Sequence, residues 1–490
     1  MSGTVAGYGR LSLFPRSPVA AAGTAFSLVR DGRSRFLAVR GDRGGLEGGR
    51  EGPAGALLCP LTAANAAILR GRLPWLNPVA LGLKTSAGFG DRLGLATPGH
   101  IRAVRRFPAG ERRLGAVFAQ QSVRENARTG RTPQGVLDDA TWGVFQEGWC
   151  RAWGADADHL KTPADVEPYA RAGYTLFTVD PGDHVDARAD ELSPVELEAA
   201  SRALPWGGLE DTPADLERRY LASSLDLGGA ALAFDRERLW RAAVKYGGAV
   251  AHTAAMFRHI ASRAVGGAFE LEVSVDETAT PTTVAEHAYV ARELRRLGVR
   301  WVSLAPRFVG RFEKGVDYIG DLDRFARELA GHAAVARGAL GPYKLSLHSG
   351  SDKFRVYPLL ASALAGDDGP LVHVKTAGTS YLEALRAVAR TDAALFREIV
   401  AFARDRYAED RATYHVSAEV GKVASANLLS SAELPSLLDQ FDARQVLHVT
   451  FGSVLERFGD RLREALIEGE ERYAAGLEEH FARHLAPFLA

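Results

Sequence analysis

Cysteine is nearly absent from this chain, with only Cys59 and Cys150 in 490 residues. That excludes a disulfide framework and any thiolate-rich zinc or iron–sulfur centre, and it suits a reducing cytoplasm. Charge of one sign is lacking too: 60 Lys plus Arg face 60 Asp plus Glu. A neutral balance gives no global field for nucleic acid or an anionic membrane. No uncharged apolar run approaches the ~18 residues of a membrane span. The opening M-S-G-T-V-A-G-Y-G-R has neither a basic stretch leading into an apolar one nor an A-x-A signal in register, so no leader is expected. The run from Gly88, G-F-G-D-R-L-G-L-A-T-P-G-H, is glycine-rich but lacks G-x-G-x-x-G and is not read as a dinucleotide site. What is present is an ordinary globular composition, 46% hydrophobic and 24% charged. The length allows one large domain with insertions or two to three smaller ones.

Residues 1–78 read as an N-terminal appendage in which a glycine- and charge-rich loop, 41–55, joins small elements. From Val79 onward, strand-like runs at 80–85, 116–122, 157–162, 174–180, 269–275, 301–307, 343–349 and 371–376 alternate with helical stretches. The helices are expected at 100–107, 141–153, 163–172, 284–297, 321–336 and 356–364. Alternation implies parallel pairing through right-handed crossovers, and eight such units close a (β/α)₈ barrel. An open doubly wound sheet also alternates, but its strands are buried on both faces and nearly all apolar. Here one face carries Lys84, Gln120, Lys161, Thr178, Glu272, Arg307, His348 and Lys375, which a barrel can present toward its C-terminal mouth. The expectation is therefore an α/β chain with a (β/α)₈ barrel at 79–380. It carries an insertion at about 185–267 after strand four, with an amphipathic helix near 235–262. A mainly helical extension fills 381–490 and ends in a helix at about 455–484. Leu462, Leu466, Tyr473 and Leu477 share one face of that helix, which packs on the barrel or on a second subunit of a homo-oligomer.

Barrel enzymes assemble their sites at the C-terminal strand ends, and there the sequence is most informative. K-L-S-L-H-S-G-S-D, from Lys344 to Asp352, puts Lys344, Ser346 and His348 on one strand face before a Gly/Ser turn. The next strand repeats the pattern with His373 and Lys375. A single such histidine is more often a satisfied structural residue; two in matching positions shift that balance. Strand four ends in V-D-P-G-D-H-V, offering Asp180, Asp183 and His184, and strand five offers Glu272 inside with Asp276 and Glu277 at its tip. His184, His348 and His373 suit a divalent cation with an open position, zinc foremost and manganese or nickel as alternatives. His184 is the weak member, with Asp180, Asp183, Glu272 or His448 as substitutes. His348 and His373 are expected as neighbours at the ~4.8 Å strand spacing. Lys161, Arg307, Lys353 and Lys375, with Ser351 and Asp352 nearby, suit an anionic or polyhydroxylated small molecule. Asp180 or Asp276 could instead cap a turn, and Glu272 could pair with a lysine inside the barrel.

L-G-L-K-T-S-A-G-F-G-D-R-L-G-L-A-T-P-G-H, F-T-V-D-x-x-D-H-V, F-E-L-E-V-S-V-D-E-T, W-V-S-L-A-P-R-F-V-G, L-S-L-H-S-G-S-D-K-F and H-V-K-T-A-G-T-S-Y-L-E-A-L-R occur in this order. Together they resemble bacterial tagaturonate epimerases over about residues 81–386, with a weaker echo in Q-V-L-H-V-T-F-G-S-V-L. The resemblance implies a metal-dependent isomerase that interconverts tagaturonate and fructuronate; relatives in the group act on tagatose and fructose. The inverted carbon is β to the ketone, so its C–H is not acidified and simple deprotonation is very slow. Retro-aldol cleavage and re-addition avoids that barrier, whereas a transient hydride transfer would need NAD. Asp183 and Glu272 are assigned to move the hydroxyl proton on opposite faces, with Asp276 and Glu277 as rivals to Glu272. Competing readings are a metal-dependent sugar-acid aldolase, a two-carboxylate glycoside hydrolase and a catalytically dead sugar-binding protein. The lack of tryptophan at the strand ends disfavours the hydrolase.

Overall fold

Eight parallel strands close into a barrel, and the computed structural model describes them within residues 11–227, 231–264, 268–338, 340–367 and 369–490. The opening decapeptide and the end of the insertion at Gly267, on which two readings above fall, lie outside the described residues. The strands are β1 (Ser86–Gly90), β2 (Gly115–Ser122), β3 (Gly154–Leu160) and β4 (Leu176–Val179), then β5 (Glu270–Ser274), β6 (Ser303–Ala305), β7 (Lys344–Leu347) and β8 (Val372–Lys375). Each pairs in parallel with its sequence neighbours, and β8 returns to β1 to complete the ring. The expected barrel is therefore found, with helices around it.

Two strands differ from expectation. The first is not 80–85 but Ser86–Gly90, because Gly82 turns at φ 70° and leaves Lys84 exposed outside the barrel. The true strand reads S-A-G-F-G and looks poor by propensity. Its glycines answer a local demand: a Cβ on Gly90 would collide with the Ala377 backbone, and one on Gly88 would press on Gln120. The third strand begins three residues earlier than expected and carries a bulge. From Phe177 to Val179 on β4, the partners on β3 run from Ala157 to Leu160, one residue too many. His159 absorbs the extra residue at φ 56°.

Local signals set the outer helices. Pro163–Ala172 starts with Thr162 and Asp165 in a capping box and proline at the first turn, and Val284–Arg296 starts with the Thr283–Glu286 box. The helix expected at 141–153 is instead Pro133–Gln146, capped by Thr132 and followed by Gly148 at φ 56°. In the insertion, Arg236–Arg263 packs against Pro163–Ala172 and Val284–Arg296, in the outer layer after β4. Residues 11–60 form a small antiparallel sheet led by Thr24–Asp31 and Ser34–Arg40, whose buried Phe26 and Leu28 join the main core. The last helical stretch is two helices, Phe451–Glu468 and Glu470–Leu489, on either side of Gly469. Leu462, Leu466, Tyr473 and Leu477 are buried, and the final helix packs on Thr97–Arg105, where Gly99 admits Leu477. Among the described residues no helix is long and apolar enough to cross a membrane.

Candidate active site

The floor of the C-terminal mouth is built around Lys375 at the end of β8. Its ammonium meets Asp156 Oδ2 at 2.8 Å, Asp158 Oδ1 at 2.7 Å and Glu272 Oε1 at 2.8 Å, and donates to Thr178 Oγ1 at 2.7 Å. All four charged groups are buried. Burial opposes the Lys375 charge, but the three carboxylates outweigh it and hold its pKa well above the ordinary lysine value. One cation against three carboxylates leaves a surplus of negative charge. Burial accordingly pushes Asp156 up to about 6 despite Lys375.

Above the floor, His348 at the end of β7 bonds Glu272 Oε1 through Nε2 at 2.6 Å and lies 3.1 Å from Asp276 through Nδ1. The β3 bulge brings His159 beside it, with ring centres 4.9 Å apart. His159 Nδ1 is fixed on Asp158 at 2.8 Å, while its Nε2 is buried without a hydrogen-bond partner, 3.9 Å from Glu277 and 4.0 Å from Asp276. Burial disfavours charge on His159, but Asp158, Glu277 and Asp180 prevail and raise its pKa to about 10. Burial acts against Glu277 as well, yet His159, Lys314 and Arg124 bring it down to about 2. Among the described residues, His159, Asp276 and His348 form one group whose ligand atoms lie within 4.8 Å of one another, and His159, Asp180 and Glu277 form another.

Asp158, His159, Glu277, His348 and Lys375 line a narrow cleft with about 50 Å³ of room for water, with Arg92, Arg124, Ser122 and Lys314 around it. Arg124, Glu277, Lys314, His348, Ser349 and Tyr414 continue into an outer chamber that also holds Arg307, Phe308 and Arg311. Lys314 Nζ donates to Ser349 Oγ at 2.7 Å, and Arg307 Nη1 to the Asp276 carbonyl at 3.2 Å. Neither has a carboxylate partner among the described residues.

The structure brings only part of the sequence-derived set together. His348, Lys375, Ser351 and Arg307 line the mouth, and Glu272 lies directly beneath it. The three histidines do not converge. His184 is exposed and stacks on His252 of the insertion at 4.1 Å. His373 does sit on a strand adjacent to His348, but level with Ser346, so it lies two residues, about 6.6 Å, deeper. There it bonds Ser86 Oγ at 2.8 Å, and burial lowers its pKa to about 3. Asp183 is at the rim, 71% exposed and paired with Lys161 at 2.8 Å. Asp352 and Lys353 face away from the cleft. Asp352 is held by Arg444 at 2.6 Å and by His480, and the Lys353 ammonium donates to the carbonyls of Glu313, Val316 and Ser351. Sequence reasoning passed over Asp158, His159, Arg124 and Lys314. A strand phase with Lys161 inside turns Asp156 and Asp158 outward. The signal against that phase was the unusual A-D-A-D-H run in a buried parallel strand.

Comparison with known proteins follows the same lines. The sequence profile of the tagaturonate epimerase family, UxaE, matches residues 14–488. A tagaturonate/fructuronate epimerase of Thermotoga maritima is 43% identical over 468 residues, which is 94% of this chain and 93% of that protein. The crystal structure of fructuronate-tagaturonate epimerase from Cohnella laeviribosi with one glycerol bound superposes with a TM-score of 0.91 at 37% identity, covering 98% of this chain and 96% of that one. The native crystal structure of the same protein gives 0.89 at 36%, with the same coverage.

Proposed function

The chain belongs to the tagaturonate epimerase family, and from that premise we propose that it interconverts D-tagaturonate and D-fructuronate in the cytoplasm by inverting the carbon β to the ketone. The observation that carries the reading is the junction of His159, His348, Asp276 and Glu277 directly above the Lys375 floor. The two imidazoles and the Asp276 carboxylate are a donor set for zinc or manganese, with Glu277 outside it. Asp276 lies 3.1 Å from His348 and 4.0 Å from His159, separations within reach of ligands that share one ion. His159 Nε2, buried without a hydrogen-bond partner, would serve as one donor to such an ion, and binding would displace the proton that the negative field holds there. His159, Asp276 and His348 form the proposed ligand set, with His159 and Asp276 taking the places of His184 and His373. When bound, the ion would supply Lewis-acid polarisation of the substrate ketone.

The chain's own residues account for the proton traffic. Glu277, ionised and held by Arg124 at 3.0 Å, takes the β-hydroxyl proton. The bond between the α and β carbons breaks, leaving an enediolate on the ketone fragment and an aldehyde on the other. The aldehyde turns, its opposite face is re-attacked, and the new alkoxide receives a proton from Lys375. Because β5 and β8 stand three strands apart in a ring of eight, Glu277 and Lys375 approach the cleft from nearly opposite walls. That arrangement suits inversion better than the Asp183–Glu272 pair, since Asp183 is out at the rim and Glu272 lies under the floor. Glu272 instead positions Lys375 and His348. Arg307 and Lys314, which have no carboxylate partner among the described residues, suit a uronate carboxylate better than a neutral ketohexose.

Metal dependence is tested by dialysis against a chelator. Turnover of tagaturonate is expected to vanish and to return when Zn²⁺ or Mn²⁺ is restored. Full activity in protein shown to be metal-free would remove the ion from the account.

A further inference from the structure

His448 belongs to the Q-V-L-H-V-T-F run near the C-terminus, far from any barrel strand in sequence, yet it lines the catalytic cleft. It rides on the helix Phe441–Val449 and is 2% exposed. Every other buried histidine holds at least one hydrogen bond, to partners such as Ser380 for His100, Ser86 for His373 and Asp352 for His480. His448 holds none among the described residues, and its Nδ1 is fully enclosed. A buried imidazole without a partner is unfavourable unless something else completes it.

The backbone around the ring is cut to admit it. A Cβ on Gly378, the residue before the helix Thr379–Thr391, would collide with His448 Nε2. A Cβ on Gly315 would press on the same side chain, 3.3 Å from its Cβ and 3.4 Å from Cδ2. Two glycines on separate loops therefore leave a channel through which a residue of the C-terminal extension reaches the mouth. Burial and the cations Arg92, Lys314, Arg444 and Lys353 keep the imidazole neutral. With Nδ1 enclosed, Nε2 is the ring nitrogen left to serve a ligand, and in the tautomer that carries the proton there it is a donor.

We infer that His448 contacts the substrate, donating a hydrogen bond from Nε2 to a hydroxyl oxygen of the sugar acid, so that the C-terminal extension completes the catalytic mouth. The inference rests on the functional reading above and adds a binding residue that is neither a metal ligand nor a proton carrier in it.

The test compares H448L, which keeps volume without polarity, with H448Q, which keeps a donor at similar reach. Turnover of D-tagaturonate, bound metal and melting temperature with and without D-tagaturonate are measured for each and for the wild type. The expected result is a fall in kcat/KM of about 10- to 100-fold in H448L, the worth of a lost buried hydrogen bond. H448Q should recover most of that loss. Metal content should be unchanged in both, and protection of the melting temperature by the sugar should be lost in H448L only. A purely structural role predicts the reverse order, with H448L at least as active and as well protected as H448Q, and that result would overturn the inference. A wild type that neither converts nor is protected by tagaturonate would fault the functional reading itself, and the inference with it.

Discussion

Replacement of Lys375 by methionine is expected to lower turnover by at least a thousandfold and to destabilise the protein by about 3–5 kcal/mol, the cost of leaving buried charges unpaired. The reason is local. Asp156, Asp158 and Glu272 converge on one ammonium in a site with almost no water contact. Methionine fills the space but removes the only cation that touches all three. Burial alone raises the pKa of Asp158 and Glu272, yet Lys375 and the neighbouring imidazoles hold both well below the usual carboxylate range. Carboxylates so depressed contribute stability above their unfolded values near 4, and lose it as pH falls through the folded ones. Without Lys375 their folded values rise above the unfolded ones, and the sign reverses. The deficit is then largest at neutral pH and shrinks as pH falls toward 4, because protonation removes the uncompensated charge. Denaturant unfolding of wild type and K375M at pH 8 and pH 5 should show the gap narrowing on acidification. A gap under about 1 kcal/mol at pH 8, or one that widens at pH 5, would mean the carboxylates are compensated in another way.

The second large effect is expected for Glu277→Gln: a loss of roughly 10²–10⁴ in kcat with bound metal retained, the usual contribution of a positioned acid–base group. Glutamine keeps the shape and can still meet Arg124, but it cannot take a proton. Glu277 is suited to the role by place, since it lines the cleft 3.9 Å from His159 Nε2, and by charge, since His159, Lys314 and Arg124 keep it ionised against burial. Asp183→Asn is the contrast. That carboxylate is 71% exposed at the rim and among the described residues pairs only with Lys161, so its removal should leave kcat within a few-fold. Near-normal turnover in E277Q with metal in place, together with a large loss in D183N, would return the proton to the rim pair.

The barrel was readable because parallel strands with charged C-terminal ends are unusual, and E-L-E-V-S-V-D-E and K-L-S-L-H-S-G-S-D each display one. β1 was misplaced because close approach of Ala377 and Gln120 demands glycine where propensity expects branched residues. The proposed ligand set was half readable. His348 follows from alternation on β7, but His373 obeys the same alternation and ends one layer too deep, and period two gives face without height. His159 was hidden by the β3 bulge, a register event with no fixed sequence signature. His448 entered the sequence reading only as a substitute metal ligand, because its helix lies outside the strand–helix repeat and nothing along the chain ties it to a strand end. Asp352 and Lys353 misled for the opposite reason. They follow His348 in sequence, but the chain turns left-handed at Asp352, φ 59°; Asp352 meets Arg444 and His480 of the C-terminal helices, and Lys353 meets the carbonyls of Glu313, Val316 and Ser351.

The most direct measurement is conversion of D-fructuronate by the metal-loaded protein in D₂O, followed by NMR at the carbon β to the ketone. Retro-aldol cleavage and re-addition leaves that carbon's own hydrogen in place, so tagaturonate should accumulate with inverted configuration and protium retained there. Absence of inversion, or inversion accompanied by deuterium at that carbon, would contradict the account.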